Sequence, residues 1–131
     1  MIALDTNVLV RLLVEDDPKQ AARAGEAVQA AVERGERVLI GDTVLAELEW
    51  VLESAYGVPR ERIHGAVRAL VEDERFVFED RRRVLSALDR YRFGRGDLSD
   101  FLLGFSARDH GASAVLTLDK ALRKEVPFLL L

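Results

Sequence analysis

The chain begins with Met1-Ile2-Ala3-Leu4-Asp5-Thr6-Asn7, an apolar run that ends at a carboxylate. The run Met1–Leu4 leaves no room for polar and apolar residues to alternate, which is typical of a strand buried on both faces of a parallel sheet. Asp5 then stands just past the carboxyl end of that strand, where open α/β sheets bind their ligands. The opening therefore indicates both a fold class and a first site residue.

The rest of the chain repeats this pattern of short apolar runs and longer periodic segments. Further strands are predicted at Arg37–Ile40, Phe76–Phe78, Ala114–Thr117 and Phe128–Leu130. Helices are predicted at Asn7–Leu13, from Pro18 to Gly35, from Asp42 or Thr43 to near Gly57, from Pro59 to about Glu72, from Asp80 to near Gly94, and from Asp97 to His110-Gly111. Strands that alternate with helices imply right-handed βαβ units. We expect one α/β domain, residues 1–131, with a mostly parallel sheet of about five strands covered on both faces.

Composition limits the possible functions. Of the 131 residues, 49% are apolar and 32% are charged, as in soluble globular proteins. No apolar run approaches the roughly 18 residues of a membrane span, and the start lacks the plan of a secretory signal. There is no cysteine, so no disulfide framework can form, and we expect a cytoplasmic protein with no membrane partner.

Five acidic residues are candidate metal ligands. With no cysteine and only two histidines in the chain, a metal site here must be built from oxygen, which suits Mg²⁺ or Mn²⁺. The candidates are Asp5, Glu47, Asp97, Asp100 and Asp119. They belong to separate stretches of sequence, so a shared site requires the fold to bring them together.

Glu47 lies on a predicted helix, at the border of its inward face. The apolar stripe of that helix is read as Val44, Leu48, Val51 and Ala55. A carboxylate against the core needs a partner, so Glu47 is either a site residue or one half of an ion pair with an arginine. On this reading Glu49 and Glu53 point to the opposite, solvated side. Trp50 lies off the stripe and is either an interface anchor or covered by a neighbouring helix.

Each of the other acids also has a structural interpretation. Asp5 can cap the helix that follows it, and Asp119 can cap a short helix after its strand. In Asp97-Leu98-Ser99-Asp100, Asp97 fits the N-cap, while Asp100 shares a helical stripe with apolar residues and should face the sheet. We therefore take Asp100 as the site residue and Asp97 as a cap with an auxiliary role. Thr117 could hydrogen-bond a neighbouring carboxylate or a water.

Basic residues cluster near these acids although the formal net charge is −4. They are Arg81, Arg82 and Arg83, then Arg90, Arg92 and Arg95, and finally Lys120, Arg123 and Lys124. A basic rim around an acidic centre could hold a phosphate backbone, and Arg92, Arg95 and Lys120 are the candidates for such phosphate contacts. The alternative is an ordinary solvated helix face.

Four motifs, in order and at suitable spacing, resemble the PIN-domain family, most closely its VapC-type toxins of toxin–antitoxin pairs. The motifs are Leu-Asp-Thr-Asn-Val-Leu at 4–9, Val-Leu-Ala-Glu-Leu-Glu-Trp-Val-Leu at 44–52, Asp-Leu-Ser-Asp-Phe-Leu-Leu-Gly-Phe-Ser-Ala-Arg at 97–108, and Val-Leu-Thr-Leu-Asp-Lys at 115–120. The resemblance implies a three-layer α/β/α PIN-like fold. It also implies an endoribonuclease dependent on Mg²⁺ or Mn²⁺ that leaves 5′-phosphate and 3′-hydroxyl ends.

The resemblance assigns roles to residues one by one. Asp5, Glu47, Asp100 and Asp119 match the family's catalytic and metal-binding acids, and Asp97 matches a frequent extra acid. Asn7 and Thr117 match polar positions that orient the site. A type II toxin is further expected to act on RNA, to bind a cognate antitoxin and to form a homodimer.

Two other functions fit the same residues. An aspartyl phosphate on Asp5, as in phosphotransfer enzymes, would use the same position after the first strand. Phosphatases of that type usually carry a second aspartate two residues later, however, and here that residue is Asn7. A non-catalytic PIN-like interaction module is the other alternative, although all the expected acids are present.

Overall fold

Helices separate five short strands in the order that the sequence predicts. The structure is a computed structural model and describes all 131 residues. The strands are β1 (Ile2–Ala3), β2 (Val38–Ile40), β3 (Phe76–Phe78), β4 (Val115–Thr117) and β5 (Phe128–Leu130). The helices are α1 (Thr6–Leu13), α2 (Pro18–Glu33), α3 (Asp42–Ser54), α4 (Arg60–Glu72), α5 (Arg81–Phe93) and α6 (Leu98–Asp109), with a one-turn 3₁₀ helix at Lys120–Leu122. A pair of helices therefore follows each of the first three strands.

All strand pairs are parallel, as expected, but they form two ladders rather than one five-stranded sheet. The first sheet has the order β1-β2-β3, with Ile2 opposite Val38 and Val38 opposite Phe76. The second contains β4 and β5, with Val115 opposite Phe128. The two ladders share no strand, so β4 and β5 form a small sheet of their own.

Acidic residues begin several helices by local capping. Asp17 accepts a hydrogen bond from the backbone N–H of Gln20 at 3.1 Å, and Pro18 occupies the first turn of α2. The side chain of Gln20 does not form a capping box with Asp17, because its oxygen accepts from Arg11 Nε at 2.6 Å. Asp80 caps α5 through the N–H of Arg83 at 3.0 Å. The helix starts are thus encoded by short sequence signals.

Helix α3 lies in the middle of the molecule and contacts both α1 and α6. Its side chains Leu45, Leu48 and Leu52 are buried and belong to one core cluster of 22 residues. The same cluster includes Leu9 of α1 and Phe101 of α6. This packing fixes the two neighbouring helices against α3, and each of those helices begins beside an acidic residue.

One side of the small sheet is not covered by helices. Leu116 and Leu129 face each other in register and are 63% and 54% exposed. The expectation of a sheet covered on both faces therefore holds less well for β4 and β5 than for β2, in which Val38 and Ile40 are fully buried. No helix of the chain combines the length and the apolar character needed to cross a bilayer.

Candidate active site

Asp5 and Glu47 are joined through the residue between β1 and α1. Asp5 is the N-cap of α1, and its Oδ1 accepts from the backbone N–H of Thr6 at 2.7 Å. Thr6 is buried, and its hydroxyl donates to Oε2 of Glu47 at 2.6 Å. A buried hydroxyl held in this way fixes the side chain of an otherwise exposed glutamate. The structure thereby couples the end of β1 to the middle of α3.

Asp97 and Asp100 lie at the start of α6. The backbone N–H of Asp97 donates to Oδ2 of Asp100 at 2.8 Å, as in a capping box. Burial raises the pKa of Asp100, and the charges of Asp97 and Asp119 raise it further, against the opposing hydrogen bond from Asp97 N–H. Asp97 and Asp119 therefore act as like charges on a half-buried carboxyl, although burial is the main cause of the shift.

Asp119 follows β4 and is held by two local hydrogen bonds. Its backbone N–H donates to Oγ1 of Thr117 at 3.0 Å, and its Oδ1 accepts from the N–H of Ala121 at 2.9 Å. Thr117 therefore orients the backbone of Asp119 rather than its carboxylate. A Cβ atom on Gly96 would lie 2.7 Å from Leu122 Cδ2 and 3.3 Å from Asp100 Cβ, so the 3₁₀ helix that Asp119 caps lies against the start of α6.

The four predicted core ligands share a property that suits cation binding. Each accepts one hydrogen bond from the chain, through Asp5 Oδ1, Glu47 Oε2, Asp100 Oδ2 or Asp119 Oδ1. The second oxygen of each carboxylate has no hydrogen-bond partner in the chain. An oriented carboxylate with one free oxygen is a suitable ligand for Mg²⁺ or Mn²⁺, which prefer oxygen. The assignment of these four residues as ligands stays a prediction.

Glu49 differs from the sequence-based expectation, which placed it on a solvated face. It is 2% exposed, and its two oxygens accept from the backbone N–H groups of Leu98 at 2.7 Å and Ser99 at 2.9 Å. Burial raises its pKa, and the two N–H groups oppose this shift. Glu49 thus caps the first turn of α6 from a different helix.

The buried stripe of α3 explains that error. It consists of Leu45, Leu48, Glu49 and Leu52, an i, i+3, i+4, i+7 series. The stripe predicted from the sequence contains Val44 and Val51 instead, and these two residues are only partly buried. The spacing around Leu45 and Leu52 was the available signal for a buried Glu49. Trp50, by contrast, is 69% exposed, so no helix of this chain covers it.

Glu49 also takes part in the closest group of acids in the chain. The ligand oxygens of Glu49, Glu53 and Asp97 all lie within 4.8 Å of one another. Both oxygens of Glu49 are already used by α6, however, whereas each of the four predicted ligands keeps a free oxygen. We therefore interpret Glu49, and not the whole group, as a structural connection between α3 and α6.

Arg60 holds the loop that leads into α6 through hydrogen bonds, and no pattern in the sequence indicates this role. Its Nη2 donates to the carbonyls of Tyr91 at 2.6 Å, Gly94 at 3.2 Å and Gly96 at 2.5 Å. Its Nε also donates to the Tyr91 carbonyl at 2.9 Å, and its guanidinium lies 4.0 Å from the Tyr91 ring centre. The next residue along the chain is Asp97, so Arg60 fixes the approach to the acidic site.

Glu125, near the carboxyl end of the chain, also holds this loop. Its carboxylate accepts from Arg90 Nη2 at 2.6 Å and from the backbone N–H of Arg95 at 2.8 Å, and the ion pair with Arg90 lowers its pKa. A Cβ atom on Gly94 would lie 2.9 Å from Glu125 Oε1 and 2.6 Å from the Arg90 carbonyl, so only glycine fits there. No local pattern in the sequence reveals these long-range contacts.

The remaining predicted residues occupy the periphery. Asn7 makes no hydrogen bond with Asp5 and instead lines a groove of about 330 Å³ between α1 and α2. Arg92, Arg95 and Lys120 are exposed, and none of their side chains forms an ion pair within the chain. These three cations are thus available to an external anion.

Comparisons with known proteins identify the family of this fold. The family model of the PIN domain matches residues 2–126. The chain therefore belongs to the PIN-domain family, which confirms the resemblance seen in the motifs. Within that family it is similar to a protein of Aquifex aeolicus (strain VF5) named VapC ribonuclease. The two are 27% identical over 124 residues, which cover 95% of this chain and 91% of the relative.

Proposed function

We propose that this chain is a metal-dependent endoribonuclease that hydrolyses RNA phosphodiester bonds, and that it is the toxin of a type II toxin–antitoxin system. The observation that carries the proposal is the set of four oriented carboxylates, Asp5, Glu47, Asp100 and Asp119, each with a free oxygen. The similarity over almost the whole length to a protein named VapC ribonuclease supports the same reaction.

The cofactor fits the residues present. All four proposed ligands offer oxygen, and Asp97 adds an auxiliary one. Burial is the main cause of the raised pKa of Asp100, and the charges of Asp97 and Asp119 add to it; a divalent cation would relieve the repulsion between these acids. When bound, Mg²⁺ or Mn²⁺ would neutralise charge on the scissile phosphate and lower the pKa of a bound water.

The residues of the chain supply orientation and proton acceptance. Thr6 holds Glu47 through its hydroxyl, and Thr117 holds the backbone of Asp119. The free oxygen of Asp5 or Asp100 orients the attacking water and accepts its proton, which requires the acceptor to be ionised.

Exposed cations and external partners complete the proposal. Arg92, Arg95 and Lys120 contact RNA phosphates, which their lack of internal ion pairs permits. The protein acts in the cytoplasm, is inhibited by a cognate antitoxin and forms a homodimer. Exposed apolar side chains, among them Trp50 and Leu116, are available to such protein contacts.

The decisive experiment is RNA cleavage by the purified protein with Mn²⁺, with Mg²⁺ and with excess chelator. We expect cleavage that needs metal and leaves 5′-phosphate and 3′-hydroxyl ends, as sequencing of the product ends would show. Asp5→Asn and Asp100→Asn should abolish it without changing the circular dichroism spectrum. Full activity in chelator would contradict the metal mechanism. A stable phosphoryl mimic on Asp5, formed with beryllofluoride, would favour phosphotransfer instead.

A further inference from the structure

A surface concavity between α4 and α5, which we call the α4–α5 groove, lies outside the acidic site. Its volume is about 1020 Å³. Its lining residues are Arg60, Glu61, His64, Arg68, Arg92 and Phe93. Five of the six are polar or charged, so the groove suits a polar ligand rather than an apolar one.

The groove is positively charged in a chain whose formal net charge is −4. Its three arginines face one acid, Glu61, and Arg68 also pairs with exposed Glu72 at 2.9 Å. Burial lowers the pKa of His64, and the charges of Arg92 and Arg68 lower it further. His64 is therefore neutral near pH 7, and the groove attracts anions mainly through its arginines.

Phe93 at the end of α5 gives the groove an aromatic surface. Its side chain is 79% exposed, and no other part of the chain covers it. The guanidinium of Arg92 lies 5.1 Å from the centre of its ring, so a cation and an aromatic face stand side by side. Aromatic faces next to cations are the usual elements with which proteins bind unpaired nucleotides.

Arg60 links the α4–α5 groove to the loop that leads into the acidic site. Arg60 lines it and also donates to the carbonyls of Gly94 and Gly96. Gly96 directly precedes Asp97, at the start of the helix that carries Asp100. Only the loop 94–96 separates Phe93 from Asp97, so a strand bound in the groove is within a few nucleotides of the acids.

We propose that the α4–α5 groove binds an unpaired stretch of the RNA substrate, with a base stacked on Phe93 and a phosphate held by Arg92. The proposal rests on the ribonuclease function proposed above and adds a binding place for the substrate on this surface of the chain. Bases inside an A-form duplex are stacked on each other and cannot reach Phe93, so a base bound there has to be unpaired.

The test is RNA binding measured by fluorescence anisotropy in chelator, where the proposed cleavage does not occur. The probes are a fluorescein-labelled single-stranded RNA of mixed sequence and a blunt RNA duplex. We expect Phe93→Ala to weaken single-strand binding about tenfold and to leave duplex binding unchanged. Phe93→Tyr keeps the aromatic face and should retain wild-type affinity. Arg92→Ala should also lower the salt dependence of binding by about one unit of log–log slope.

Arg82→Ala is the matched control, because Arg82 is an exposed arginine at the other end of the same helix. The proposal that the groove binds RNA is wrong if Phe93→Ala binds the single strand like the wild type, or if the wild type binds no RNA. It is also wrong if Arg82→Ala weakens binding as much as the groove variants do. It is also overturned if Phe93→Ala changes only the sedimenting mass, because the surface is then a protein interface. A wild type that binds RNA through the groove but never cleaves it with Mn²⁺ would contradict the proposed function alone.

Discussion

Two glutamates on α3, Glu47 and Glu49, differ in burial and in hydrogen bonding although they are only two residues apart. Glu47 is exposed, takes one hydrogen bond from Thr6 and keeps a free oxygen. Glu49 is buried, and both of its oxygens accept backbone N–H groups of α6. Two residues on a helix are separated by about 200°, so the two carboxylates reach different neighbours. A free oxygen marks a possible ligand, and saturated oxygens mark a structural cap.

Burial also changes the pKa of Glu49. The pKa of Glu49 is raised, first by burial, so the folded protein holds a proton there more tightly than the unfolded chain. The stability gained from this group is therefore complete below the usual glutamate pKa and is lost as the pH rises through the raised value. Glu49 as a cap is consequently a compromise between two hydrogen bonds that favour the charged carboxylate and a desolvation that opposes it.

The largest expected effect is the loss of activity in Glu47→Gln. Glutamine can still accept the hydroxyl proton of Thr6, but it replaces the charge and the free oxygen with an amide. We expect RNA cleavage to fall by about a hundredfold or more, with a change in unfolding free energy below about 0.5 kcal/mol. Initial rates with Mn²⁺ and urea unfolding measure the two quantities. A fully active variant would remove Glu47 from the proposed site.

The second effect is a loss of stability in Glu49→Ala. The first N–H groups of α6 would lose their acceptors in a buried setting, which we expect to cost about 2 kcal/mol of unfolding free energy. Urea unfolding at pH 7 measures this change. Glu53→Ala is the control on the same helix, because Glu53 is exposed and should change stability by less than about 0.5 kcal/mol. Equal effects in both variants would contradict the contrast between cap and solvated acid.

Local signals made most of the fold and the candidate acids predictable. Each of the five strands and six helices was expected within a few residues of its observed position, because caps such as Asp17 and Asp80 act over only three residues. The acids Asp5 and Asp119 were found because they follow strands directly. Their interpretation needed only the rule that ligands bind beyond the carboxyl ends of parallel strands.

Long-range contacts were not predictable in the same way. The hydrogen bonds between Arg60 and the loop before α6 span more than thirty positions of sequence, and nothing near Arg60 indicates them. The burial of Glu49 depends on where α6 begins relative to α3, which only the packed structure reveals. The division of the strands into two ladders likewise has no signal in the local sequence.

The third effect tests the connection between Thr6 and Glu47. Thr6→Val keeps the buried volume but removes the hydroxyl, so the carboxylate of Glu47 loses its orientation. We expect activity to fall about tenfold and unfolding free energy to fall by about 1 kcal/mol. Thr6→Ser restores the hydroxyl and should recover most of the activity. If serine and valine are equally impaired, the methyl packing of Thr6 matters and its hydrogen bond does not.

The smallest expected effect is a pKa shift. It tests whether charge, as well as burial, raises the pKa of a proposed ligand. Because the carboxylate of Asp119 contributes to the raised pKa of Asp100, Asp119→Asn should move that pKa back toward the ordinary aspartate value. Carboxyl ¹³C NMR titration of the metal-free protein measures the shift directly. Asp89→Asn is the control, since Asp89 is an exposed acid that does not act on Asp100. The sign is fixed, because removal of a negative neighbour lets Asp100 ionise at lower pH. If both variants titrate like the wild type, the charge of Asp119 does not act on Asp100, and the proposal that the two acids share a cation loses its support.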